Sequence, residues 1–167
     1  MVYAINLDCG SGIGRVTSTF LINHFEKIDL VEQTEKFLDA AKNITFKDTP
    51  DRIGRYINLG LQNFTPEANK YDLIWCQWVL GHLPDQDLIS LLKRFHGGLK
   101  SNGLIGVKEN ISRDVIQFDT EDSSVTRNEK HLKEIFEKAG LVIIKEAWQS
   151  DWPLGLYPVK MFLLRPN

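Results

Sequence analysis

The chain has 167 residues, 43% of them hydrophobic and 25% charged, with a net charge of −2. Such a chain is long enough for one domain with a real core, and its even charge balance argues against general binding to nucleic acid or anionic membranes. It contains no apolar run long enough to span a membrane and no signal peptide after Met1, and Cys9 and Cys76 are too few for a disulfide framework, so a reducing, cytoplasmic setting is expected, with the nucleus also open. The histidines His24, His82, His96 and His131 have no ligand spacing, and a metal site is not expected.

Tyr3-Ala4-Ile5-Asn6-Leu7 reads as a first strand, and Val16 to Ile22 has apolar residues at helical spacing. Between them lies Asp8-Cys9-Gly10-Ser11-Gly12-Ile13-Gly14-Arg15. Strand, glycine turn, helix is the setting for a nucleotide-type ligand: glycines let the backbone approach closely, and the amides of the helix start point at the ligand. Dinucleotide turns are spaced G-x-G-x-x-G, whereas Gly10, Gly12 and Gly14 make G-x-G-x-G after an acid. A tight strand–helix joint is the plain alternative. The pattern resembles motif I of the class I S-adenosylmethionine-dependent methyltransferases.

Lys27 to Glu32 reads as a second strand, followed by a short helix from about Thr34 marked by Phe37, Leu38 and Ala41. Phe46 to Gly54 reads as loop, Tyr56 to Leu59 as a third strand, and Tyr71 to Gln77 as a fourth strand buried on both faces. Pro84 opens a helix with Leu88, Leu91, Leu92 and Phe95 inward, ending at Gly97-Gly98. After an Asn102-Gly103 turn, Leu104 to Lys108 is a fifth strand. A long polar segment covers Asn110 to Asp122, and a helix from about Asn128 to Ala139 stops at Gly140. Leu141 to Trp148 and Tyr157 to Leu164 are two last strands whose connection is too short for a parallel crossover.

Alternating strands and helices imply an α/β, Rossmann-like, doubly wound and mostly parallel sheet of seven strands, closed by a C-terminal antiparallel pair. A nicotinamide dehydrogenase would instead continue with a second parallel half. No linker or repeat divides the chain, so residues 1–167 are read as one domain.

Glu32 ends the second strand, where an acid accepts both ribose hydroxyls of a nucleoside, or is simply a solvated strand terminus. Arg15 can pair with the carboxylate of a methionine moiety, or sit on the surface of the first helical turn. The segment Asp114 to Asp122 holds Asp114, Asp119, Glu121 and Asp122 with no lysine or arginine. By itself that is a solvated acidic loop; beside a cationic substrate it is an attractive channel. His82, in Gly81-His82-Leu83-Pro84, is a structural histidine or a proton relay at the mouth of the sheet. Trp78 and Tyr157 are pocket walls or core, and Trp75 is read as core.

Four motifs in order make a narrower resemblance: the glycine turn from Asp8 to Arg15, Gly60-Leu61-Gln62-Asn63-Phe64-Thr65-Pro66, Ile74-Trp75-Cys76-Gln77-Trp78-Val79-Leu80-Gly81-His82-Leu83, and Asp122-Ser123-Ser124-Val125-Thr126-Arg127. Together with Tyr157-Pro158-Val159 they resemble the protein α-N-terminal methyltransferases, closest to the fungal members. That family methylates the free amine of proteins beginning Xaa-Pro-Lys or Xaa-Pro-Arg, with S-adenosyl-L-methionine as donor and S-adenosyl-L-homocysteine as product.

The resemblance implies that Asp8, Gly10, Gly12, Gly14, Arg15, Glu32, Leu61, Gln62 and Gln77 hold the donor. It implies that Trp78, Asn110, Asp119, Ser124 and Tyr157 hold the peptide, and that Asp122 and His82 assist the reacting amine. Family members carry a helical segment ahead of the first strand. This sequence opens almost on that strand, so the domain is read as N-terminally short. A monomer is expected, with ribosomal proteins among the candidate substrates. The alternatives are a small-molecule N-methyltransferase and a non-catalytic module that binds the cofactor or a partner.

Overall fold

The computed structural model describes residues 4–167. Its order is β1 (Ile5–Cys9), α1 (Arg15–Thr19), β2 (Lys27–Glu32), α2 (Glu35–Ala40), β3 (Ile53–Asn58), β4 (Tyr71–Gln77), α3 (Asp85–Gly98), β5 (Leu99–Asn110), β6 (Gln117–Asp119), β7 (Ser124–Thr126), α4 (Glu129–Lys138), β8 (Leu141–Trp148) and β9 (Val159–Pro166). Seven strands form one sheet in the order β3-β2-β1-β4-β5-β9-β8, and β6-β7 is a separate hairpin. From β3 to β5 every pairing is parallel, and β9 runs antiparallel to both β5 and β8. The doubly wound sheet with its closing antiparallel strand is the expected one. Tyr3, read as part of the first strand, lies outside the described residues.

Strand alternation divides the core in two. Leu7 and Cys9 of β1, Ile74 and Cys76 of β4, and Ile105 and Val107 of β5 join the inward faces of α3 and α4 in one cluster. Ile28 and Leu30 of β2 join Leu21, Leu38, Ala41, Phe46 and Ile53 in the other, against which Trp75 packs, half-buried. The stripe Leu88, Leu91, Leu92 and Phe95 is fully buried, as its helical spacing implies. Gly140 ends the α4 region at φ +75°, where a glycine is free of the left-handed penalty.

Several boundaries differ from the sequence reading. The first helix has only five residues and passes into a turn of 3-10 helix at Leu21–Asn23. The third strand starts at Ile53 because Gly54 is there for close packing, not for a loop: a Cβ on it would overlap the Asp29 carboxylate. The fifth strand starts at Leu99. Its partners step from Tyr71↔Leu99 to Leu73↔Leu104, so Asn102-Gly103 is absorbed as an irregularity inside the strand and reverses nothing. The last strand starts at Val159, two residues later than expected. The polar segment read over Asn110 to Asp122 holds β6 and leads into β7, a hairpin whose three-residue strands are too short to show a periodic pattern.

Candidate active site

Gly10, Gly12 and Gly14 all take positive φ, 69°, 55° and 82°, a region costing an L side chain about 1–2 kcal/mol. A Cβ on Gly10 would overlap Val79 and one on Gly14 the Phe46 ring, while at Gly12 it would meet nothing within 4 Å. Gly12 therefore faces open space. The amides of this turn are used differently from the expected ligand cradle. Those of Gly10 and Ser11 donate to the Val31 carbonyl (2.8 and 3.1 Å) and that of Gly14 to Ser11 (2.9 Å). The Gly12 amide donates to Glu32 Oε2 at 3.0 Å. With every other residue of the turn left-handed, these four N–H groups brace it by tying it to β2 and to itself.

Asp8 supports the turn from within the sheet. It is buried, and the Thr17 hydroxyl donates to its Oδ2 at 2.6 Å. Burial pushes its carboxyl up to about 7, against the Thr17 hydrogen bond and the Arg15 charge, which pull it down. Glu32 accepts one amide on each oxygen, Gly12 on Oε2 and Thr34 on Oε1 at 2.9 Å. A carboxylate oxygen has two lone pairs, so each keeps acceptor capacity.

Glu32 lines a cavity of about 480 Å³, within the range of small-ligand sites. Its lining includes Gly10, Thr34, Phe37, Leu61 and Gln62 and a second wall of Trp78, Val79, His82, Leu83 and Pro84, which meets the first where Val79 packs on Gly10. Of the residues expected to bind the donor, Gly10, Glu32, Leu61 and Gln62 line this cavity, together with Trp78 and His82. Arg15 is exposed and stands 5.4 Å over the Trp78 ring. Gln77 and Asp8 are not in the lining; Gln77 accepts the Trp75 indole N–H at 3.3 Å. Phe37, one of the residues that mark the second helix in the sequence, is 47% exposed and belongs to the cavity wall.

The second wall is a turn that follows β4, and polar groups hold it from behind. Trp78 sits at φ +53°, and its amide donates to the Lys108 carbonyl at 3.1 Å. The next two amides, of Val79 and Leu80, donate to one oxygen of the buried Glu109 (3.0 and 2.9 Å). Burial pushes the Glu109 carboxyl up to about 7, against these two amides and Arg127. Arg127, also buried, donates to the carbonyls of Leu80 (2.9 Å) and Leu83 (2.6 Å) and to Asp85 Oδ1 (2.9 Å). His131 Nε2 lies 2.6 Å from Asp85 Oδ2. Burial would raise the Asp85 carboxyl, but Arg127 and His131 prevail and hold it below the usual range. The sequence reading missed Glu109, although it lies two residues past Val107 and four past Ile105 on an apolar strand face. That placement is the signal of a buried acid.

The acidic segment leads into the β6–β7 hairpin, with Asp119 on β6 and Glu121 and Asp122 in the connecting turn. The hairpin packs on this same turn: the Val125 carbonyl lies 2.9 Å, and Ser124 Cβ 3.7 Å, from where a Cβ on Gly81 would stand. Asp119 and Asp122 are exposed, and each carboxylate accepts one amide two residues on, from Glu121 (2.8 Å) and Ser124 (3.0 Å). Asn110 borders the small hollow under Gly81 and Val125. Tyr157 stands apart, half in a second groove of about 430 Å³ with Ser112, Asp114, Gln117 and Leu156. The geometry thus joins Gly10, Glu32, Leu61, Gln62, Trp78 and His82 in one cavity, leaves Asp8, Gly12, Gly14, Arg15 and Gln77 outside its lining, seats the hairpin beside it, and leaves Tyr157 in a separate groove.

A family model described as AdoMet-dependent proline di-methyltransferase matches residues 2–165. The chain belongs to this family. It is 48% identical over 160 residues to alpha N-terminal protein methyltransferase 1 of Schizosaccharomyces pombe, covering 96% of this chain and 71% of that protein. The rice (Oryza sativa subsp. indica) protein of the same name is 46% identical over 167 residues, covering 97% of this chain and 54% of its own length. N-terminal Xaa-Pro-Lys N-methyltransferase 1 of Xenopus tropicalis is 42% identical over 159 residues, covering 95% and 70%. The chain therefore spans from about half to seven-tenths of these relatives. A SAM-dependent methyltransferase from Leishmania major superposes with a TM-score of 0.92 at 37% identity, covering 98% of this chain and 65% of that one.

The donor of this family, S-adenosylmethionine, fits the residues present. Glu32 has acceptor capacity for a ribose, and the open side of Gly12 admits close approach. The Ser11 hydroxyl and the Trp78 indole N–H are buried without a partner among the described residues, so polar groups remain to be satisfied at the turn and on the second wall.

Proposed function

We propose that this chain transfers a methyl group from S-adenosylmethionine to the α-amino group of proteins beginning Xaa-Pro-Lys or Xaa-Pro-Arg. The names of the rice, fission-yeast and Xenopus relatives support the reaction and the substrate class. One observation carries it: an acidic hairpin is seated on the turn that brings Trp78 and His82 to the cavity beside Glu32. A small neutral acceptor would have no use for that hairpin, whereas a peptide with a cationic third residue would be drawn to it.

When bound, the donor supplies an electrophilic methyl carbon on a sulfonium. The chain's own residues then have three tasks. Glu32 and the glycine turn hold the nucleoside end, with Leu61 and Gln62 beside the adenine and Arg15 and Gln77 toward the methionine end. Trp78 offers a rigid ring to the substrate proline, Asn110 hydrogen-bonds the first peptide unit, Asp119 pairs with the third-residue cation, Ser124 lines the channel, and Tyr157 takes the continuing peptide in its separate groove. Asp122, with His82, takes the proton from the amine. An α-amine has a pKa of roughly 7.7–8.0, so only modest base help is needed. Most of the acceleration comes from alignment, worth roughly 7–11 kcal/mol at best. The chain acts as a monomer in the cytoplasm or nucleus, with ribosomal proteins as candidate targets.

Mass spectrometry of a synthetic Xaa-Pro-Lys peptide incubated with this chain and donor tests the reading. Methylation is expected at the free α-amine and is expected to vanish when that amine is acetylated or the proline replaced. Methylation that persists on the blocked peptide would refute the reading, and donor binding without any product would make the chain a cofactor-binding module. Between the two base candidates, Asp122→Asn is expected to lower kcat about 10²-fold, more than His82→Ala does. The reverse order would move the role to His82.

A further inference from the structure

The turn after β4 carries the whole second wall of the cavity, and its own hydrogen bonds are two long ones, from the His82 and Leu83 amides to the Val79 and Leu80 carbonyls (3.2 and 3.3 Å). Trp78 takes φ +53°, a conformation that a bulky residue adopts only when its surroundings enforce it. The residues on either side are fixed from outside the turn. The Glu109 carboxylate, on β5, gathers the Val79 and Leu80 amides on one oxygen. The Arg127 guanidinium, directly after β7, gathers the Leu80 and Leu83 carbonyls together with Asp85. We propose that Glu109 and Arg127 are positioning residues that set this turn, so that Trp78 and His82 meet the substrate amine at the donor's methyl end.

Both side chains are buried, and neither lines the cavity, so they act through the backbone and not on the substrate. Arg127 is the more telling of the two. It continues from the strand bearing Ser124, and the β6–β7 hairpin carries Asp119 and Asp122. One guanidinium therefore fixes the His82 turn relative to the acidic hairpin and sets the distance between the two sides of the proposed peptide channel. Its planar fork reaches three acceptors at once, a geometry that a lysine ammonium cannot reproduce. His131 holds the Asp85 end of the arrangement from α4, at 2.6 Å.

This inference rests on the proposed transferase reading, and the two are separable by experiment. Glu109→Gln keeps an oxygen where both amides need it and removes only the charge, whereas Glu109→Ala removes the acceptor. With the Xaa-Pro-Lys peptide, kcat per folded molecule is expected to fall at least tenfold in Glu109→Ala and to be restored to within threefold of the parent in Glu109→Gln. Arg127→Lys, which keeps the charge, is expected to fall at least tenfold as well, and it decides the matter if Glu109→Ala does not fold. A lowered Tm with unchanged kcat, or a Glu109→Gln variant as slow as Glu109→Ala, would overturn the proposal by leaving these residues a purely structural part.

If the parent chain shows no transfer, the transferase reading fails and amide exchange decides the positioning role. The amides of residues 79–83 are expected to exchange at least tenfold faster in Arg127→Lys, with those of the glycine turn unchanged and Glu109→Gln like the parent. Equal exchange in all three proteins would refute it.

Discussion

The glycine turn and the acidic hairpin both pack on the turn after β4, Gly10 against Val79 and Val125 against Gly81, but are built on opposite principles. At the glycine turn every described carboxylate is cross-linked into the fold: Asp8 is buried on Thr17, and Glu32 binds the amides of Gly12 and Thr34. On the hairpin, Asp119 and Asp122 are exposed and accept only an amide two residues away. The first region is shaped before any ligand arrives, at the carboxyl ends of parallel strands, where such sheets present their ligand site. The second contributes charge on a short, exposed support. Substitutions on the donor side should therefore disturb folding and donor binding together, and those on the hairpin should leave fold and donor binding intact, with Asp119 acting on peptide affinity and Asp122 on turnover.

The glycines break the comparison most sharply. Gly14→Ala adds both the left-handed penalty and an overlap with Phe46, together about 2–5 kcal/mol. Gly12→Ala has the same sign of φ but open space around the new methyl, so only about 1–2 kcal/mol is expected. Urea unfolding of the two variants measures the difference directly. Equal losses would mean that packing under the turn is not what fixes it.

The pH dependence of stability is the next largest effect. Asp8, facing Thr17, Arg15 and Glu32, and Glu109, facing the Val79 and Leu80 amides and Arg127, both have carboxyls pushed up to about 7 by burial. Between the ordinary carboxylate range and about 7, the folded chain keeps protons that the unfolded chain has released. Stability therefore falls as pH rises through that window and levels off above it, at about 1.4 kcal/mol per pH unit for each such carboxyl. Asp85, Glu129 and Glu146 are held below their usual range and act oppositely, losing their contribution as pH drops below about 4. Thermal unfolding should give a maximum near pH 5. In Asp8→Asn the decline toward pH 8 should be visibly shallower, with the Thr17 hydroxyl still accommodated by the amide oxygen.

Glu32→Ala should weaken donor binding about 100-fold, because hydrogen bonds to a charged acceptor contribute about 1.5–3 kcal/mol each. Calorimetry with S-adenosylhomocysteine reads this without turnover. A loss below threefold would remove the ribose role from Glu32.

How much of this the sequence discloses follows the same division. The sheet, its parallel order and its closing antiparallel strand are legible because apolar runs, glycine turns and a short last connection constrain them. The bounds of β2, β4 and β8 agree residue for residue with the sequence reading, since each is a continuous run ended by a clear polar or turn signal. Glu32, Leu61, Gln62, Trp78 and His82 are legible as cavity residues because they stand at strand ends. The β6–β7 hairpin is not, because three-residue strands carry no period. Nor are the partners of Arg127, which lie 42 to 47 residues away in the chain, beyond the reach of any local pattern.

The hairpin should give the smallest and most selective effect. Asp119→Asn removes one exposed charge and leaves an oxygen to accept the Glu121 amide, so the turn and the fold are retained. An exposed ion pair contributes about 0.2–1 kcal/mol, rising when the ligand's cation sits among several like-charged neighbours. KM for an Xaa-Pro-Lys peptide should therefore rise about 3- to 10-fold, with kcat and donor affinity unchanged. Because the attraction is Coulombic and solvent-exposed, the difference from the parent should shrink in about 1 M salt, where the Debye length is near 3 Å. A peptide with a neutral third residue should show no difference between the two proteins. If its KM rose equally, Asp119 would be shaping the loop and not reading the substrate's charge.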